Sequence, residues 1–309
     1  SELNPETTIF IVASKSFNTL ETALNAAFAK KWILGASDEP VAVEKHFIAI
    51  TGNKNRAINF GVAEDNILPI WDWVGGRFSV WSAVGLSIAL LVGMESFIAF
   101  HAGAHSMDRH FREESPDKNM PVIMALITVW YNAFFNSQSS AVVPYSHRLK
   151  ELPFYLQQLS MESLGKSITK ENDQISISTG EILWGTVGTN SQHSYFQLLH
   201  QGTQDICADI IASKESLKSL AYAQAITQAK ILSDGADDLL RFEEKINGNI
   251  PLNLFLLNKI DAYTLGYLIA TWEHRTYITA AMLEINPYDQ YGVSAGKIYT
   301  KKYFQDNGA

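Results

Sequence analysis

Apolar residues along the chain fall into two rhythms. Thr8-Ile9-Phe10-Ile11-Val12-Ala13 is an unbroken, largely β-branched run, and His46-Phe47-Ile48-Ala49-Ile50-Thr51 is a second. Short apolar runs of this kind read as strands buried on both faces. Between them, Thr19 to about Leu34 carries a helical pattern. Another apolar stretch, Phe78 to Met94, starts just after Arg77 and contains three serines. A bilayer span needs ~20 apolar residues, so this stretch reads as a buried core helix. The first 95 or so residues thus alternate strand and helix, as in a doubly wound α/β unit.

The alternation resumes after a polar, proline-containing connector from Glu113 to Pro121. Met124 to Phe135 and Leu149 to Leu159 read as helices, with Ala141-Val142-Val143-Pro144 between them as a strand. Asp209 to Ala212 and Leu254 to Leu257 are further strand candidates. Long helices are expected from Ser216 to about Ser233 and from Ala262 to about Leu283. The pattern predicts an α/β chain of two domains with parallel central sheets, 1–95 and 96–309, with the boundary between Met94 and Pro121. No short-period repeat or low-complexity tract interrupts it.

Composition narrows this picture. The 309 residues are 47% hydrophobic, enough for a large core. The net charge is −8, with no clustered Lys and Arg, which speaks against a nucleic-acid partner. An anionic substrate would have to be held locally, against the overall charge. The single cysteine, Cys207, permits no intrachain disulfide and fits a reducing compartment. Its ordinary role is that of a small buried apolar residue. Ser1 to Glu6 lacks the basic and apolar regions of a signal peptide. A soluble, cytoplasmic protein with no membrane partner is expected.

Five segments carry candidate chemistry. Ser14-Lys15-Ser16-Phe17-Asn18-Thr19 joins a buried strand to a helix. Helix N-termini favour anions, and hydroxyls at 14, 16 and 19 would complete a phosphate cradle; ordinary N-capping would use the same residue types. In Asp72-Trp73-Val74-Gly75-Gly76-Arg77 two glycines allow a tight turn before a guanidinium that needs a partner. That partner is either charge developing on a substrate oxygen or Asp72. Gln158 and Glu162 are four residues apart and share a face if helical. Glu162 lies among uncharged residues, which suits a general base, or it is a solvated helix-end Glu. Gly185 to His193 is a Gly/Ser/Thr/Asn loop leading into a helical pattern from Ser194 to Gln201. His193 would stand at that helix's N-terminus, where the dipole favours neutral imidazole, whereas His200, inside the helix, reads as structural. Lys297 lies in Gly/Ala surroundings that leave room for a ligand or mark an ordinary surface lysine.

Two further clusters read as structural. His101, His105, Asp108 and His110 are close together but lack an HExxH pattern or a cysteine partner, so no metal is expected. The tryptophans from Trp71 to Trp81 read as core packing.

Singly these signals are weak, but their order is specific. Asp72 to Leu90 (DWVGGRFSVWSAVGLSIAL) closely resembles the first signature of the phosphoglucose isomerase family, and Asn286 to Lys297 (NPYDQYGVSAGK) resembles the second. QQLSMES, GTNSQH and HQGT fall between them in the family's order, and IVASKSFNTLET resembles its sugar-phosphate loop. The resemblance covers essentially the whole chain.

It implies two α/β domains of the sugar-isomerase type, the first only partly present. It also implies interconversion of glucose 6-phosphate and fructose 6-phosphate without cofactor or metal. Ser14, Lys15 (through its backbone), Ser16 and Thr19 would hold the phosphate. Arg77 would stabilise an enediol(ate), and Glu162 would move the proton between C2 and C1 with Gln158 beside it. His193 and Lys297 would assist ring opening, and Gln290 would line the pocket. The family's histidine comes from the neighbouring subunit, so a homodimer is implied.

Several positions depart from the family pattern: Ser16 for threonine, Ser191 for glycine, Ser294 for glutamate, and Gly248 to Leu252, which lacks the usual basic and hydroxyl residues. The family also carries a long segment ahead of Thr8 with a glycine-rich phosphate loop that has no counterpart here. A non-catalytic sugar-phosphate-binding regulator and an inactive fragment are the alternative readings.

Overall fold

The structure is a computed structural model that describes residues 3–36, 41–236, 238 and 241–306. It divides into two compact units, Ser1–Phe97 and Ile98–Ala309. Both are built on wholly parallel sheets with helical crossovers, the α/β class expected from the alternation.

The first unit contains β1 (Phe10–Ala13), α1 (Leu20–Leu34), α2 (Val41–His46), β2 (Phe47–Thr51), α3 (Lys54–Phe60), β3 (Ile67–Pro69) and α4 (Leu86–Val92). Its sheet order is β1-β2-β3, with Phe10 opposite Phe47 and Ala49 opposite Ile67. The inner strand explains the unbroken apolar run: Phe47, Ala49 and Ile50 are wholly buried. Ala26, Ala29 and Ile33 of α1 pack against that sheet, and Phe10 stacks on Phe47 at 5.2 Å.

One expectation fails here. Phe78 to Met94 is not a buried helix but two 3₁₀ turns, Gly76–Trp81 and Ala83–Gly85, followed by the short α4. The serines explain the break. Ser79 Oγ donates to Gly76 O, Ser82 Oγ donates to Ser79 O, and the extended Ser82 caps the Val84 N–H. Hydroxyls that bond the local backbone compete with α-helical pairing. In α4 only Ala89 is buried, and Leu91 is 86% exposed.

The second unit begins within α5 (Met94–Glu113) and continues through α6 (Met120–Phe134), β4 (Ser139–Pro144) and α7 (Leu152–Gln157). Next come β5 (Ile182–Trp184), α8 (Gly188–Ser191), α9 (Phe196–Gln201), β6 (Ile206–Ser213) and α10 (Leu220–Asp234). β7 (Leu252–Leu257), α11 (Ala262–Met282) and α12 (Tyr291–Asp306) complete it. The sheet order is β5-β4-β6-β7, with Ala141 opposite Ala208 and Ile210 opposite Leu254. Ala141, Val143, Ile210 and Ala212 face Ala225, Ala229 and Leu232 of α10 in the core.

α5 and α11 touch backbone to backbone. A Cβ on Gly103 would lie 1.8 Å from Tyr263 O, and one on Gly266 would lie 1.9 Å from Phe100 O. Only glycine permits that approach. His274 Nε2 pairs with Asp108 Oδ1 at 2.7 Å while its ring stacks on Phe111. His110 Nε2 accepts from the Met120 N–H. Of the clustered residues, Asp108 and His110 thus hold neighbouring elements. Among the described residues no helix is long and apolar enough to cross a membrane.

Candidate active site

In the first unit the candidate residues gather where β1 and β3 end, the edge at which open α/β sheets bind ligands. Ser14 N–H donates to Ile50 O, and Lys15 O accepts from the Gly52 N–H and from Thr51 Oγ1. Phe17 takes φ +49°, turning the chain back toward α1. These bonds set Ser14 Oγ 3.2 Å from Thr19 Oγ1. Thr19 precedes α1, yet its hydroxyl does not cap that helix. The pair is therefore not the ordinary cap that Ser and Thr usually form. A cavity of ≈ 280 Å³ beside the loop is lined by Ser14, Phe17, Thr22, Arg56 and Asn59 among others.

The loop is tied to the glycine-arginine segment. Lys15 Nζ donates to Asp72 O at 2.5 Å and to Val74 O at 3.2 Å. Arg77 follows on the 3₁₀ turn and is only 5% exposed. Of its two expected partners, Asp72 is not taken: its side chain makes no hydrogen bond or ion pair among the described residues, and its carbonyl serves Lys15. Arg56, which the sequence reading missed, donates from Nη1 to Ser16 O at 3.1 Å. No local signal marks a contact between residues so far apart in sequence.

In the second unit the expected helix from Leu149 to Leu159 becomes α7 followed by a π-helical turn, Gln158–Glu162. Such a turn holds one extra residue and recurs at functional sites. It directs Leu159 and Ser160 into the interior and leaves Gln158 at the surface and Glu162 half-buried. Gln158 Nε2 donates to Glu162 Oε2 at 3.2 Å, the shared face expected from their spacing. Tyr155, one turn earlier, donates its hydroxyl to Glu273 Oε1 on α11. Burial first, and then the Glu273 charge, pushes the Tyr155 phenol well above its usual value.

Lys166 caps the same segment. Its ammonium donates to Glu162 O, Ser163 O and Asp289 O at 2.7, 3.1 and 3.1 Å, and it lies 3.5 Å from Asp289 Oδ1. It stands four residues after Glu162, a spacing that could have drawn attention to it. Asp289 immediately precedes Gln290, which is exposed at the start of α12. Lys297 lies midway along α12 and is exposed, and its ammonium makes no hydrogen bond or ion pair among the described residues.

His193 lies in the loop region that follows β5, again at a strand's carboxyl end. It is not at a helix N-terminus as expected: α9 starts at Phe196, with Tyr195 as the residue before it. His193 occupies the turn between α8 and α9 and is exposed. Tyr195 is the reason. Its hydroxyl accepts from the Thr186 N–H and its ring meets Trp184 at 4.6 Å, which fixes it ahead of the helix. Two departures from the family pattern are accommodated. Ser191 is wholly buried with its hydroxyl donated to Gly188 O, and Ser294 Oγ donates to Gln290 O.

Parallel sheets with polar loops at their strands' carboxyl ends place the chain in the open α/β class, a class that binds ligands at that edge. The family model described as "Phosphoglucose isomerase" matches residues 1–307, and the chain belongs to that family. A glucose-6-phosphate isomerase of Shewanella sp. (strain ANA-3) is 46% identical over 319 aligned positions, covering 96% of this chain and 58% of that protein. The enzyme of Shewanella oneidensis matches to the same extent. The chain therefore spans less than two thirds of the length of these relatives. Among solved structures, a glucose-6-phosphate isomerase from Chlamydia trachomatis has a TM-score of 0.89 at 32% identity, over 99% of this chain and 61% of that one. A hypothetical protein from Thermus thermophilus, at 24% identity and TM-score 0.81 over 98% of this chain and 73% of that one, shares the fold.

Proposed function

We propose that this chain carries the isomerisation chemistry that interconverts D-glucose 6-phosphate and D-fructose 6-phosphate through a cis-enediol(ate). Glu162 takes the proton from C2 of the open-chain aldose and returns it to C1, while the hydroxyl proton passes from O2 to O1 and the carbonyl moves from C1 to C2. The reaction is redox-neutral within one molecule, so it calls for no electron acceptor. Ser14, the Lys15 backbone, Ser16 and Thr19 hold the phosphate, turning remote binding into alignment of the reacting carbons. Arg77 faces the enediolate oxygen, worth about 3–4 kcal/mol by comparison with oxyanion-hole donors. His193 and Lys297 assist ring opening, and Gln158 and Gln290 line the pocket.

The observation that carries this reading is the π-turn, which holds a half-buried carboxylate against the Gln158 amide. Membership of the family and the names of its relatives support it. The first unit is then the second half of the smaller sugar-isomerase-type domain, and the second unit the larger one. The reading extends to a cytoplasmic homodimer in which the exposed His193 is offered to a neighbouring subunit's pocket.

A coupled assay with fructose 6-phosphate tests it. Glu162→Gln should lose about 10²- to 10⁴-fold in turnover while still binding the sugar phosphate. Near wild-type turnover by that variant refutes the base assignment. Sugar-phosphate binding without turnover by the unaltered protein points instead to a regulator or an inactive fragment.

A further inference from the structure

The ammonium of Lys166 has three protons to donate, and the structure gives each an acceptor. Two are the carbonyls of Glu162 and Ser163, at the end of the π-helical segment, and the third is the carbonyl of Asp289. Carbonyls at a helix end lack intrahelical partners, and a cation there satisfies them and complements the dipole. A lysine serving only as a cap would stop at the first two. This one reaches across to a segment 123 residues away in sequence. There it also faces the Asp289 carboxylate at 3.5 Å, with the two side chains only 14% and 21% exposed.

What lies beyond Asp289 gives the contact its weight. Ile285 is wholly buried in a cluster with Leu164, Ala280 and Leu283, and Pro287 is the last buried residue before α12. From Tyr291 to Asp306, α12 buries no residue at all. The placement of Gln290 and Lys297 thus depends on the segment 286–290 at the root of α12. Lys166 pins that root to the backbone of Glu162 itself.

We propose that Lys166 is a positioning residue that locks the carboxylate at 162 and the root of α12 into one register. The lock aligns the groups and contributes little to holding the sugar phosphate. This rests on the isomerase reading for its effect on turnover, and on geometry alone for the lock. Its loss lowers kcat, because small misplacements of reacting groups can cost about 10²-fold, and leaves KM nearly unchanged. Arginine, with its charge and donors retained, restores most of the effect.

The test uses the full chain and two readouts. Amide hydrogen exchange in Lys166→Met should accelerate about tenfold or more together in 158–166 and in 286–297, with β4 and β6 unchanged, as expected for local opening. Turnover of fructose 6-phosphate should fall about 10- to 100-fold, with KM within about threefold, and Lys166→Arg should recover both readouts. If Lys166→Met does not fold, Asp289→Asn, which leaves every carbonyl acceptor in place, should show the same paired change more weakly. Faster exchange in one segment alone, or in neither, overturns the lock. Paired acceleration with unaltered kcat overturns the positioning role. Glu162→Gln measured alongside separates the two readings: if it keeps full turnover, the assignment of Glu162 as the base fails, while the exchange result still decides the lock.

Discussion

At the scale of single residues, the second unit's interior is organised by one cation. Arg275 Nη2 meets Glu181 Oε1 at 2.5 Å and Thr128 Oγ1 at 2.7 Å, and Nη1 meets Asp209 Oδ2 at 3.1 Å. Asp209 Oδ1 also accepts from Asn253 on β7. Burial works against the charge on Arg275, but Glu181 and Asp209 outweigh it and hold the guanidinium above its usual value. Burial pushes the Glu181 carboxyl upward, Arg275 opposes this, and Asp209 adds to the rise. Arg275→Met leaves two buried carboxylates without their cation, a loss of about 3–5 kcal/mol. The Glu181 carboxyl, already raised by burial, then binds its proton more tightly folded than unfolded. That favours folding below its unfolded value, near 4, and the advantage fades as pH rises through the raised folded value. The melting-temperature deficit of Arg275→Met should therefore widen between pH 5 and pH 8, and an equal deficit at both would contradict this account. Nothing near Arg275 in sequence announces the network, because its partners lie 66, 94 and 147 residues away. Gln158 and Glu162 were legible for the opposite reason: their contact lies within one turn.

At the scale of elements, buried strands were the most readable features. The apolar runs at Phe10–Ala13 and Phe47–Thr51 became strands, but only β2, the inner one, is buried on both faces; β1 lies at the sheet's edge with Val12 as its one buried residue. The three-residue strands β3 and β5 were missed, being too short to show a rhythm. The serine-broken segment before α4 was misread because its hydrophobicity outweighed its hydroxyls in the pattern. The helix pair α5 and α11 carries a prediction of its own. Burial lowers the His274 imidazole below 6.5, the Asp108 contact opposes that, and the Arg112 charge adds to it. A base depressed in the folded state contributes stability above its unfolded value, near 6.5, and loses it as pH falls toward the folded value. Acidification from pH 7.5 to pH 5.5 should therefore lower the melting temperature less in His274→Asn than in the unaltered chain. An identical slope in the two would mean that the ring binds its proton equally well folded and unfolded.

At the scale of the whole molecule, each unit closes its sheet only through crossover connections. Parallel strands cannot be joined by tight hairpins, and contacts distant in sequence form slowly. β4 lies between β5 and β6, so it waits for both. Chains ended after β7 but before α11 should leave β4 and β6 open to protease, whereas chains continuing through Met282 should protect them. Protection in the shorter chains would show that the sheet consolidates without α11.

The buried guanidinium then governs the timing of biosynthesis. A ribosome delivers Glu181 and Asp209 long before residue 275, and until that residue emerges both acids do best facing water. The nascent second unit is thus held back from premature collapse by its own unpaired acids until α11 has been made.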